Sequence, residues 1–471
     1  MKPITVDVVV VGAGPAGYAA AFYAADLGRS VILVEQEKRL GGVCLNRGCI
    51  PSKALLHATK LVSEAKESSH RGIEFAAPKI HLDKLRAWKE GILDKLSAGI
   101  HSIGTKRNVQ IMAGRGYFED SKTLRVETKD GQKIIHFGKA VIAVGSKPAM
   151  PQAFDLGNKR IMTSTEALEL EEVPKDLLIV GGGYIGMELG TVYAALGSRI
   201  VLVEALGTIL AGADPDLARP VMKYAEKNFK EVRLNTKVEK MQTSGPKIKV
   251  VMNVAGEKKE ELYDRVLVSV GRVPNCADLG LKNTKIAVDE KGFIKVNKSQ
   301  RTSEPDIFAI GDVAGGVLLA HKAAKEARIA VEAICGEPSV FENITIPAVV
   351  FTDPEVAWCG LTEAEALAKN IQVEVVKFPW GASGRALTHD RTDGLTKLII
   401  QPGTERILGV GLVGSGAGEL ISEGVLAVEM AATVKDLAMA VHPHPTLSET
   451  LMEAAELFYG HSSHALGRKR S

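Results

Sequence analysis

The sequence predicts an α/β chain made of two Rossmann-like dinucleotide-binding domains followed by a C-terminal α+β domain, and three observations predict it. Residues 6–35, VDVVVVGAGPAGYAAAFYAADLGRSVILVE, read as an apolar strand, a Gly12-x-Gly14-x-x-Gly17 turn, a small-residue helix and a second strand ending in Glu35. Residues 177–204, LLIVGGGYIGMELGTVYAALGSRIVLVE, align without a gap on residues 8–35, matching Gly181, Gly183, Gly186, Gly197 and Glu204 to Gly12, Gly14, Gly17, Gly28 and Glu35. From about Phe341 longer strands and helices follow with no such turn.

In each copy the first glycine makes the tight turn, the second lets a pyrophosphate approach the backbone, and the third lets helix and strand pack closely. The acidic residue then accepts from a ribose hydroxyl. Two copies imply two dinucleotides. Glu204 accepts from a free 2′-hydroxyl and repels a 2′-phosphate, so the second ligand is expected to be NAD rather than NADP; Arg199, just before that strand, counts slightly against it. Residues 8–25 carry no charge and approach the length of a membrane span, but their glycines and proline make them strand, turn and helix.

Directly after the first copy comes GGVCLNRGCIPSKALLH, Gly41 to His57, in which Cys44 and Cys49 precede a helix-patterned run, Lys53 to Lys66. This spacing predicts both thiols at a helix N-terminus, where unpaired N–H groups and the macrodipole favour a thiolate. Lys53 follows Cys49 by one helical turn, so its ammonium falls near that sulfur. Two cysteines at this spacing are usually unremarked free thiols. Their place beside a nucleotide turn makes them a candidate redox pair.

The remaining stretches follow in order. Residues 67–105 show helical spacing around Leu82, Leu85, Trp88, Ile92 and Leu96, and Val109 to Phe137 read as a β-excursion of short strands. Ala140 to Pro148 reads as a buried parallel strand returning to the first sheet, and Pro151 to Pro174 as a linker. In the second copy Glu188 stands where the first has Ala19; it either complements a helix N-terminus or pairs with Lys53. Arg265 to Asn275 and Asp306 to Gly316 are further apolar strands ending in glycine, the latter placing Asp312 at the sheet edge where ligands bind in open α/β folds. Gly-Asp is also a common turn.

Near the C-terminus, HPHPTLSETLMEAAELF holds His442 and His444 between prolines, and Thr446 with Glu449 reads as a capping box opening the last helix. Glu449 is then a structural cap, or it orients an imidazole acting as general base.

A net charge of +3 over 471 residues, with basic residues locally gathered only in the tail GRKRS, implies no nucleic-acid partner. Five cysteines do not make a disulfide framework, and a Cys44–Cys49 bridge in a reducing compartment is transient and catalytic. Cys276, Cys335 and Cys359 are scattered and read as buried or inert. The first strand starts within ten residues of Met1, so a cytoplasmic protein without a targeting peptide or membrane span is expected.

Together these residues resemble the flavin-dependent pyridine nucleotide-disulfide oxidoreductases, from about Val6 to Gly460, and within them the members that oxidise dihydrolipoamide; GGVCLNRGCIPSKALLH and HPHPTLSE are the specific pieces. The resemblance implies an FAD-binding part at 1–147 carrying the redox disulfide, an NAD-binding domain at 148–272, a central part completing the FAD site at 273–342, and a dimerisation domain at 343–471. It implies FAD at Gly12, Gly14, Gly17, Glu35, Gly42, Cys44, Lys53, Gly116, Gly145, Ser146, Asp312 and Ala320, and NAD at Gly181, Gly183, Tyr184, Ile185, Gly186, Glu188, Glu204, Val238, Gly271 and Arg272, with no metal. Ala143-Val144-Gly145 departs from the family's usual Ala-Thr-Gly, and Ala327 stands where glycine is common.

The implied reaction starts with a dihydrolipoyl thiol, deprotonated by His444, attacking Cys44 of the oxidised pair. Cys49, nearer the flavin, passes electrons on through it to NAD. Glu449 orients the imidazole, Lys53 with Glu188 tunes charge, and the His-Pro segment reaches the neighbouring subunit of a homodimer. Implied partners are the lipoyl-bearing acyltransferases of 2-oxoacid dehydrogenase complexes or the glycine cleavage H protein. The alternatives are another NAD(P)H-dependent flavin disulfide reductase and a non-catalytic flavoprotein subunit. Against them stand Glu204, the absence of any additional paired thiol motif, and the presence of Cys44, Cys49, Lys53 and His444 together.

Overall fold

The structure is a computed structural model that describes residues 3–467; residues 468–471 of the basic tail lie outside the described part. The β-branched runs Ile4–Val11 and Val31–Glu35 pair in parallel, and Pro15 opens the connecting helix, Pro15–Asp26, where a missing N–H costs no intrahelical bond. They belong to a seven-stranded sheet. Gln110–Ala113, Val31–Glu35, Ile4–Val11, Gly131–Ile142 and Ile307–Ala309 run in parallel, and Thr123–Thr128 and Arg115–Phe118 add antiparallel strands.

Two expectations are corrected here. Residues 109–137 are not an excursion: Gln110–Ala113 is an edge strand of the first sheet and the rest continue it. The returning strand spans Gly131–Ile142 rather than Ala140 to Pro148. The chain turns at Gly145, with φ 68°, so that Ser146–Pro148 forms a separate short strand against Arg272–Pro274.

The second copy builds a five-stranded parallel sheet in the order Glu231–Arg233, Arg199–Val203, Asp176–Val180, Arg265–Val268, Ile161–Met162. An antiparallel flap, Thr236–Ser244, Lys247–Val254 and Glu257–Tyr263, packs on it through Ile248, Val250 and Met252. The C-terminal sheet is antiparallel, in the order Ala348–Val350, Glu355–Gly360, Ile407–Gly414, Leu395–Ile400, Glu374–Pro379. Its apolar face packs under the helices Ala417–Glu429 and Glu449–Tyr459 through Phe378, Leu398, Leu412, Ile421 and Leu451.

Two contacts position the site. The helix Ala320–Ile334 lies across Pro15–Asp26 on Ala16, Ala20, Ala323, Ala327 and Ala330, small side chains that let the two axes approach; Ala327 is fully buried there. The second contact joins domains. Lys397, 1% exposed, places its ammonium 2.6 Å from Asp214, 2.7 Å from Asp216 and 2.8 Å from Glu363. A buried ammonium is tolerated only when paired, and this one is shared by three carboxylates, two of which also take Lys377. Among the described residues no helix is long and apolar enough to cross a membrane.

Candidate active site

The carboxyl ends of the first sheet open into a cavity of about 540 Å³, lined by the first glycine turn, the dithiol segment, Gly116, Gly145, Ser146, Asp312 and Ala320. Glu35 is buried, with Oε2 accepting from the Ala13 N–H at 2.7 Å and Oε1 from the Glu37 N–H at 2.9 Å. Each oxygen keeps a second lone pair, which is what a ribose diol needs. A Cβ on Gly42 would fall 2.6 Å from Gly14 Cα, so the dithiol segment rests its backbone directly on the nucleotide turn. A dinucleotide fits this cradle, with a carboxylate for the sugar, a side-chain-free turn for the pyrophosphate and two thiols on the wall.

The thiols are not both at one helix N-terminus, as the spacing predicted. Cys44 sits inside a short helix, Gly42–Arg47, and Gly48 (φ −151°, ψ −111°) breaks the chain so that Cys49 alone opens the long helix Cys49–Glu67. The inequivalence shows in their acidities. The hydrogen bond from Cys44 pulls Cys49 down to about 7 against its burial, with the Lys53 ammonium helping. The same bond, with burial, pushes Cys44 well above an ordinary thiol. Of the two, Cys49 therefore ionises first and the shared proton rests on Cys44.

Lys53 pairs with Glu188, its Nζ lying 3.0 and 2.8 Å from the two carboxylate oxygens. Glu188, 3% exposed, also accepts from the Ser52 hydroxyl at 2.7 Å and the Phe351 N–H at 3.1 Å, and Lys53 lies over the Phe351 ring, 4.6 Å from its centroid. Ser52 and Phe351 escaped the sequence reading. Ser52 adjoins Lys53 without any pattern to mark it, and Phe351 arrives from the C-terminal domain just after the strand Ala348–Val350.

Arg272, expected at the second nucleotide, turns toward the first cleft. Its Nε donates to Ser146 Oγ and its Nη2 to the Ser146 carbonyl, each at 2.7 Å, and Nε lies 3.8 Å from Asp312, which accepts from the Ser146 hydroxyl. The turn bearing Asp312 is held from behind by buried groups that were also missed. Glu326 accepts from the Gly311 N–H at 2.8 Å and pairs with Lys322 at 2.7 Å, and Lys322 donates to the Gly315 carbonyl at 2.7 Å.

In the second copy Glu204 repeats Glu35: Oε2 accepts from the Gly182 N–H at 2.6 Å and Oε1 from the Leu206 N–H at 2.8 Å. Tyr184, Ile185 and Glu188, which open its helix, also line the first cavity, so the two sites share a wall. Val238 lies on the flap, and Gly271 turns the chain after Arg265–Val268 with φ 131°. Arg199 pairs with Asp176 at 2.6 Å, at the opposite end of its strand from Glu204, and so leaves the case for NAD intact.

His444 does not line the cavity of its own chain. It is exposed, with Nδ1 2.9 Å from Glu449 Oε1. His442 is different: its side chain is buried and both ring nitrogens are engaged, by the Ala440 carbonyl at 2.9 Å and Glu423 at 2.8 Å, which anchors the segment. The capping box is only half formed. Glu449 accepts from the Thr446 N–H at 2.7 Å, but the Thr446 hydroxyl is spent on the Pro443 carbonyl, and Ser448, at the N-cap position, makes no side-chain cap.

Comparison with known proteins follows this geometry. The family model described as pyridine nucleotide-disulphide oxidoreductase matches residues 6–327, and the one described as its dimerisation domain matches residues 346–455. The chain is 45% identical over 460 residues to a Vibrio cholerae protein named dihydrolipoyl dehydrogenase, covering 98% of this chain and 97% of that one. A Haemophilus influenzae protein of the same name is 46% identical over 460 residues, covering 98% and 96%. Among solved structures, LpdA from Mycobacterium tuberculosis superposes with a TM-score of 0.89 at 28% identity, covering 96% of this chain and 100% of that one.

Proposed function

Because this chain belongs to the pyridine nucleotide-disulphide oxidoreductases, we propose that it is a dihydrolipoyl dehydrogenase, oxidising dihydrolipoamide to lipoamide at the expense of NAD. One observation carries the reading: two inequivalent thiols, Cys49 the one whose surroundings favour the thiolate, are fixed by backbone contact to a nucleotide turn and share a cavity with the Lys53–Glu188 pair. FAD, when bound in that cavity by Glu35, the Gly12–Gly17 turn, Ser146 and Asp312, supplies the two-electron carriage between dithiol and NAD.

The chain's own residues do the rest. His444 takes a proton from one dihydrolipoyl thiol, and that sulfur attacks Cys44 of the oxidised pair, breaking the Cys44–Cys49 bond and leaving Cys49 as thiolate. The second dihydrolipoyl sulfur then attacks the first, closing lipoamide and expelling Cys44, which takes up the second thiol's proton, so two electrons and two protons move from substrate to enzyme. The Lys53 ammonium favours the Cys49 thiolate as it leaves, which fits attack at Cys44. Glu449 holds the His444 ring and stabilises its cation. Glu188, Ser52 and Phe351 fix the Lys53 ammonium beside Cys49.

Since His444 is exposed and outside its own chain's cavity, the base for each dithiol comes from the second subunit of a homodimer, built through residues 346–455. The lipoyl group arrives on an acyltransferase subunit of a 2-oxoacid dehydrogenase complex or on a glycine cleavage H protein, in the cytoplasm, where a Cys44–Cys49 bridge is catalytic rather than structural. The test is steady-state reduction of NAD and NADP by dihydrolipoamide. We expect turnover with NAD only, and a fall of about 10²- to 10⁴-fold in His444→Ala with flavin content unchanged. Turnover with neither nucleotide sinks the reading, and near-normal turnover in His444→Ala removes His444 from it.

A further inference from the structure

The last helix carries a second imidazole–carboxylate pair that the reaction leaves unused. Glu449 and Glu453 stand one turn apart on Glu449–Tyr459 and therefore on one face. Glu449 takes His444 Nδ1 at 2.9 Å on one oxygen and the Thr446 N–H at 2.7 Å on the other. Glu453 is held in the same manner, by His464 Nδ1 at 2.5 Å and the Ser462 hydroxyl at 2.6 Å. Gly460, at φ 77°, ends the helix and turns the chain so that residues 461–464 fold back along it. Glu453 is buried while the His464 side chain is 57% exposed, so the imidazole exchanges its proton with water far more readily than the carboxylate does.

We infer that His464 is a positioning residue for the general base: its charge cancels that of Glu453 one turn from Glu449, and so limits how strongly the His444–Glu449 pair holds a proton. This rests on the reading of His444 as the base. With His464 protonated, the second pair is neutral and His444 responds to Glu449 alone. Once His464 is uncharged, the Glu453 carboxylate is uncompensated and adds negative charge near His444, which favours the imidazolium and raises the pH at which the base becomes free.

The surroundings agree. The Glu453 hydrogen bond raises His464 above an ordinary imidazole, with Glu449 and Glu456 adding to it. Burial pushes Glu449 up, but the Thr446 N–H and His444 outweigh it, His464 contributes to the fall, and its carboxyl stays below the ordinary range.

Other charges face this helix. Glu456 is raised by burial and by Glu453, and His461 lies beside it in the returning segment. From the sheet, Glu374 shares the strand face of Phe378, which packs on this helix, whereas Lys377 and Lys397 point to the other face and pair with Asp216 and Glu363. From the helix Val434–Met439, Asp436 caps its own N-terminus through Thr433, and Lys435 is the one cation. Glu405 accepts from Tyr459. None of these is bonded to Glu453, so the His464 charge is its specific counter-ion among the described residues.

The experiment measures kcat/KM for dihydrolipoamide against pH on the flavin-loaded dimer. His464→Gln keeps a donor to Glu453 without charge, His464→Lys keeps the charge, and both lie at an exposed position that spares the fold. We expect the ascending limb to move up by about half a pH unit in His464→Gln, to return in His464→Lys, and to move down in Glu453→Gln. NMR titration of the His444 ring, which needs no turnover, should show the same displacements. A limb that stays in place in His464→Gln, or moves the same way in both Gln variants, overturns the inference. His444→Gln separates the two claims: a limb that survives it refutes His444 as the base, while a limb that vanishes there but is unmoved by His464→Gln refutes only the role of His464.

Discussion

The two glycine turns are near-superimposable in detail and yet are put to different use. Gly12 and Gly181 have φ of 99° and 109°, and a Cβ on either would lie 2.5 Å from the carbonyl of the residue after the neighbouring strand, Ala143 or Ser269. A Cβ on Gly17 would fall 1.7 Å from the Gly12 carbonyl, and one on Gly186 2.0 Å from that of Gly181. Glu35 and Glu204 accept the same two N–H groups in register.

What differs is what packs next. After the first turn Gly42 seats the dithiol segment on Gly14, and the helices Cys49–Glu67 and Ala320–Ile334 wall the cleft. After the second turn Glu188, where the first copy has an alanine, reaches out of its own site to Lys53 in the first. One turn is walled in and suits a resident cofactor; at the other a Cβ on Gly183 would meet nothing within 4 Å, which suits a substrate that comes and goes. The dinucleotide motif sets what can bind, and the elements packed on it set for how long.

That contrast is broken or sharpened by paired substitutions. Gly17→Ala and Gly186→Ala create the same clash. The first should yield protein without retained flavin and without any turnover. The second should keep flavin and reduction by dihydrolipoamide while NAD reduction falls by about 10²-fold or more, read from cofactor content and stopped-flow half-reactions. Flavin loss in both would erase the distinction. Smaller is Glu204→Val, which deprives the ribose of a charged acceptor: KM for NAD should rise by about 10- to 100-fold with flavin content untouched, and discrimination against NADP should narrow.

The smallest effect concerns acidity. Reduced protein should gain its first thiolate absorbance near pH 7, and Lys53→Met should move that step upward because the ammonium favours the anion. The sign for stability follows. Cys49 lies below its ordinary value of 9.0, so the stabilisation it gives the reduced fold is complete above about pH 9 and is lost as the pH falls through about 7. A first step near 9 in the parent protein would remove the inequivalence of the two thiols.

Much of this was legible in the sequence, for a physical reason. The turns, Glu35, Glu204, the Cys44–Cys49 spacing and the Lys53–Glu188 alternative are local patterns, and each needs only a few consecutive residues to impose its geometry. Contacts between distant segments left no such trace. Ser52 and Phe351 meet Glu188 only because three domains converge, and Lys322 with Glu326 supports Asp312 across a helix–turn junction. The resemblance implies Arg272 at the second nucleotide, and the short strand Ser146–Pro148, paired with Arg272–Pro274, brings its guanidinium to Ser146 on the cavity wall that the two sites share.

The central claim, that Cys44 and Cys49 are the pair through which reducing equivalents enter, is tested most directly by thiol mapping. Flavin-loaded protein is treated anaerobically with one equivalent of dihydrolipoamide per chain, quenched with an alkylating agent and mapped by mass spectrometry against the untreated protein. The account predicts that Cys44 and Cys49 alone pass from disulfide to alkylated thiol, with one lipoamide formed per chain. Lipoamide formation with both residues unchanged, or new alkylation at Cys276, Cys335 or Cys359 instead, would contradict it.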